Sequence, residues 1–153
     1  MSSATPTADL LPYSAPQSPY ARLLLFALRR MAAGGIGDAH AAHAFFTGFG
    51  LGYRRPLVLT RAFMAEVSRV SAIRLVVAPC CCPRMSEAEQ VLLAAVGRAN
   101  ATPQRAHDAL SALLKVRDCV GLVTSAQAVA TSFADQGMPL TDDCTFCNGD
   151  ELF

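Results

Sequence analysis

Apolar residues recur along most of this chain at steps of three and four, the spacing of a single buried helix face. Leu24, Leu28 and Met31 make the first such stripe, while Arg22 and Arg29, seven apart, share another face with Phe26. Ser18 stands where an N-cap belongs, and Pro19 takes the first helical position, where its missing N–H costs nothing. The spacing predicts a helix over 19–33, ended by Gly34 or Gly35 in the left-handed C′ position. Asp38 reads as the N-cap of a second helix over 39–46. A third, opened by Pro56, runs over 56–71 with Leu59, Phe63, Val67 and Val70 on its apolar face. Glu66 and Arg69, three apart, pair on its exposed side.

The run from Ile73 to Ala78 is too short to classify by period, either a helix continuing or an extended lead into the cysteines. Pro79 favours extended backbone at Ala78, so regular helix stops there. Ser86 and Glu89 form a capping box that starts a helix reaching to about Ala99. Thr102 and Pro103 repeat the cap-and-proline signal. The segment 104–135 keeps a helical period through Ala109, Leu113, Val116, Val120 and Val123. It reads as one long helix or two, with Gly121 as the interruption and Thr124–Gln127 as a further capping box. The expectation is an all-α fold, a compact single-domain array of five or six helices. Residues 1–17 form a disordered or loosely docked arm, 18–140 the helical domain, and 141–153 a cysteine-containing tail docked on its cysteine loop.

Composition supports helices. Apolar residues make up 52% of the 153 residues and charged ones 16%; alanine is abundant, favours helix and lets helices approach closely. A net charge of +1 gives no electrostatic signal for nucleic acid. The excess of arginine over lysine reads as the mark of a GC-rich genome. No apolar run reaches the length of a bilayer span, and no basic segment precedes the first apolar cluster as in a secretory signal. The chain is expected to be cytoplasmic, working with a protein partner or as a homo-oligomer.

Six cysteines in such a setting need an account, because thiols there serve more often as ligands or redox groups than as structural disulfides. Cys80, Cys81 and Cys82 lie between Pro79 and Pro83, and Cys144 and Cys147 form a C-x-x-C pair in the tail. In extended backbone Cys80 and Cys82 point one way and Cys81 the other. Cys80, Cys82, Cys144 and Cys147 would then supply four thiolates to one ion, with structural zinc first and an iron–sulfur cluster as the alternative. A site of that kind staples the tail to the helices and makes the protein a non-catalytic interaction or regulatory module. The other reading is a thiol redox protein or sensor, with Cys82 or Cys144 as the attacking sulfur. Idle, reduced cysteines are the third.

The remaining signals are weaker. His40 and His43, three apart, share a helix face and could ligate one ion, but no carboxylate or further histidine recurs at matching spacing. Gly48, Gly50 and Gly52 follow a helix instead of a strand, so they do not read as a phosphate loop. Cys119 falls within an apolar period, as a buried structural thiol does. No hydrolase, P-loop or haem-attachment motif is present, and no catalytic residue is assigned.

Overall fold

Ser18 opens the first helix as its position predicts. In the computed structural model, which describes residues 10–140, its side chain accepts the Ala21 N–H at 3.5 Å and α1 runs Pro19–Gly34. Gly35 then adopts φ 92°, a conformation open to glycine at little cost. Asp38 caps α2, Ala39–Phe49, accepting the Ala41 N–H at 3.0 Å. The glycines after it do not form a loop. Gly48 lies inside α2, and a 3₁₀ turn, Gly50–Tyr53, passes directly into α3, Arg54–Val70.

Residues 71–79 form neither helix nor strand, and α4 comes next, Glu87–Arg98, with both halves of the Ser86/Glu89 capping box formed. The 104–135 segment is two helices, α5, Pro103–Leu114, and α6, Val120–Asp135. The break falls earlier than Gly121. Lys115 takes φ 58°, and the amides of Lys115 and Val116 both donate to the Ser111 carbonyl, closing α5 by local hydrogen bonding that hydrophobic period does not report. His107, which offers no partner in the sequence, bridges the break: its Nε2 lies 3.4 Å from the Cys119 N–H and 3.3 Å from Asp118 Oδ1.

The all-α expectation holds, with six α-helices and one two-residue strand pair among the described residues. Helices α3 and α6 pack along one another, α4 packs against α5, and α1 against α2. Phe45, Phe49 and Phe133 meet edge to face at the centre, the closest ring centroids 4.9 Å apart. Cys119 is buried in this core.

The extended residues before α1 join the molecule through the strand pair. Strand β1, Tyr13–Ser14, runs antiparallel to β2, Arg84–Met85, with Tyr13 opposite Met85. Ala15 N–H donates to the Pro83 carbonyl at 2.8 Å. Arg84 adds side-chain donations to the Leu11 and Pro12 carbonyls at 3.1 and 2.8 Å. Residues 10–15 are thus stitched directly onto the segment just after the cysteines.

Candidate functional site: a cysteine turn held by two arginines

Residues 79–82 form a tight turn, not an extended strand. Cys82 N–H donates to the Pro79 carbonyl at 3.0 Å, which places Cys80 and Cys81 at its two central positions. The alternation expected of the triplet is therefore lost, because the chain reverses where an extended segment would continue. The sulfurs brought together are those of Cys80 and Cys81, 3.5 Å apart. Cys81 is exposed, and Cys80 and Cys82 are half-buried.

Two consecutive arginines of α1 hold this turn from different sides. Arg29 lies off the apolar stripe of α1 yet is buried; its side chain is 3% exposed and pairs with Glu89, 2% exposed. Its guanidinium also donates to the Cys82 carbonyl at 2.8 Å and the Arg84 carbonyl at 2.7 Å. Glu89 in turn accepts the Ser86 N–H at 2.9 Å and the Ala78 N–H at 3.3 Å. Ser86 completes the frame by donating its hydroxyl to the Val76 carbonyl. One buried ion pair thus collects donors and acceptors from residues 78, 82, 84 and 86, the backbone on both sides of the thiols.

Arg30, the next residue, points to the outer side. It meets Asp38 through two hydrogen bonds, 2.9 and 3.2 Å, and His40 Nδ1 at 3.1 Å. The Asp38 hydrogen bond raises the Arg30 pKa above its ordinary value, and the Cys80 thiol beside it raises it further. Asp38 is held down to about 2, chiefly by its hydrogen bond to Arg30. Cys81 is pushed above the usual thiol value, first by its hydrogen bond with Cys80 and then by repulsion between the two as they ionise. The pair therefore carries one charge more readily than two, with Arg30 at its Cys80 end.

Cys144 and Cys147 lie outside the described residues, so the structure describes only the Cys80 and Cys82 half of the four-cysteine set. Leu140, the last residue described, sits with its carbonyl by Gly97, near the end of α4 opposite the cysteine turn. His40 and His43 gain no third ligand: among the described residues no three His, Cys, Asp or Glu side chains form a group able to hold a metal ion. Nor, among those residues, is any helix long and apolar enough to cross a membrane. Sequence reasoning missed Arg29, whose partner Glu89 is already accounted for by the capping box. It also missed the pairing of Cys80 with Cys81, where proline on both sides of the triplet was the available sign of a turn.

These features define a small helical protein that displays a vicinal dithiol on a clamped turn. Residues 2–134 match a family of unknown function, DUF6628, and the chain belongs to that family. The matched span contains the cysteine turn, Arg29, Arg30 and Glu89, and ends before Cys144. No curated protein and no solved structure matches the chain.

Proposed function

We propose that the protein is a thiol redox sensor whose reactive pair is Cys80 and Cys81. The observation that carries this reading is the 3.5 Å approach of the two sulfurs on an accessible turn, with Arg30 beside the first. A thiolate is the nucleophile in thiol oxidation. With a hydroperoxide as oxidant, the Cys80 thiolate attacks one peroxide oxygen, the O–O bond breaks, and an alcohol leaves. The sulfenic acid on Cys80 is then attacked by the Cys81 sulfur, an S–S bond forms, and the oxygen leaves as water.

A disulfide between neighbours spans Cα atoms only about 3.8 Å apart, inside the separation ordinary disulfides adopt. It is consequently strained and easily reduced, as a reversible signal requires. A cytoplasmic setting, where thiols are kept reduced, suits that use. The sensor acts on a protein partner or a second copy of the chain without turning over a substrate.

The test is oxidation of the reduced protein by one equivalent of a hydroperoxide, and then thiol counting. Two thiols should disappear per chain and return with a dithiol reductant. Cys81→Ser should stop at a sulfenic acid on Cys80, and Cys80→Ser should lose the reaction. Undiminished oxidation of Cys80→Ser would remove the reading.

A zinc site built from Cys80, Cys82, Cys144 and Cys147 is the second reading, with an iron–sulfur cluster in the same place as its variant. It is favoured by the clamping of the Cys82 and Arg84 carbonyls, which gives the Cys80–Cys82 half a fixed backbone to ligate from. Metal content of anaerobically purified protein decides it. One zinc per chain, lost in Cys144→Ser/Cys147→Ser, is its expected result.

A further inference from the structure

Beyond redox signalling, the same turn has the donor set of a different ligand. We propose that Cys80 and Cys81 form a chelating site for trivalent arsenic, as arsenite or a monosubstituted arsenical. Soft thiolates select soft, thiophilic centres. Zinc asks for four ligands around a tetrahedron; the turn offers two sulfurs, and among the described residues no third His, Cys, Asp or Glu completes a group with them. Trivalent arsenic is pyramidal and three-coordinate. Two protein sulfurs with one oxygen or carbon complete its shell.

Geometry and preorganisation both favour the chelate. The sulfurs already stand 3.5 Å apart, close enough to share one atom as a bridge. Cys81 is exposed and Cys80 half-buried, so the pair can be reached. The backbone below is held by the Arg29 hydrogen bonds to the Cys82 and Arg84 carbonyls, so little ordering remains to be done on binding. Once the first sulfur is attached, the second meets the arsenic within one molecule, and the effective concentration is high.

The chemistry balances without an oxidant. Arsenite loses two hydroxides as two As–S bonds form and two As–O bonds break; the two thiol protons leave with those hydroxides as two waters. Arsenic stays trivalent and both sulfurs keep their oxidation state.

Phenylarsine oxide is the probe, because its arsenic takes two sulfurs and releases one water. Added to the reduced full-length chain in excess glutathione, it should give one adduct per chain by intact mass. A small dithiol should remove the adduct and a monothiol should not. Cys80→Ser and Cys81→Ser should each abolish the glutathione-resistant adduct, whereas Cys82→Ser and Cys144→Ser/Cys147→Ser should retain it. Retention by Cys80→Ser, loss in the Cys144→Ser/Cys147→Ser variant, or no adduct on a wild-type chain whose Cys80 and Cys81 are shown to be reduced would each overturn the proposal. Since no oxidant is present, failure here is separate from failure of the hydroperoxide reaction.

Discussion

Arg29 and Glu89 bring opposite charges into a core that leaves 3% and 2% of their side chains exposed. Removing one partner strands the other charge away from water, which in buried pairs costs roughly 3–5 kcal/mol. Arg29→Met and Glu89→Leu should each lower urea stability by about that much, and the double variant by clearly less than the sum. Thr60 makes the converse case: its buried hydroxyl has no hydrogen-bond partner among the described residues, so Thr60→Val should leave stability unchanged or raise it. Asp38 predicts a pH dependence. Its pKa is about 2 when folded against an ordinary value of 3.8, so the stability contributed by its charge is full above the unfolded value. That contribution is lost as pH falls from there towards 2. Asp38→Asn keeps a capping oxygen but not the charge, and the wild-type advantage over it should vanish at the acid end of a stability–pH curve. Of these residues, Asp38 was legible as a cap and Glu89 as the N3 member of a capping box. Their arginine partners were not, because local spacing says nothing of contacts from α1 to the Asp38 cap or to α4.

Helix starts were the most legible elements, since Ser18, Asp38 and Ser86 each accept a backbone N–H within one turn of their own chain. Ser86→Ala should cost about 1 kcal/mol for the lost cap, somewhat more here because its hydroxyl also reaches the Val76 carbonyl. Denaturant unfolding of that variant measures the sum. Helix breaks were less legible. The period of 104–135 runs unbroken through the Lys115–Cys119 reversal, because Leu114, Cys119 and Leu122 remain buried on either side of it. The β1–β2 pairing was invisible in two-residue strands that carry no period at all. Arg84 holds residues 11 and 12 by their carbonyls, so Arg84→Ala should speed hydrogen exchange at the Ala15 amide while leaving the core of α3 and α6 protected.

At the scale of the molecule, the helices serve as a frame that delivers a short, sharply bent thiol segment to the surface from a fully buried ion pair. The clustering of three cysteines was readable from the triplet, but the approach of Cys80 to Cys81 was not: that depends on the backbone reversal between Pro79 and Cys82. Redox equilibrium of the Cys80–Cys81 couple is the most direct test of the central claim. The Cys82→Ser/Cys144→Ser/Cys147→Ser variant, poised in glutathione buffers of varying ratio, isolates that pair from its neighbours; buried Cys119 remains as an internal control. A single reversible two-electron transition at a potential above about −200 mV, the range of strained and labile disulfides, is the predicted result. Absence of any transition, or one that survives Cys81→Ser, would contradict it.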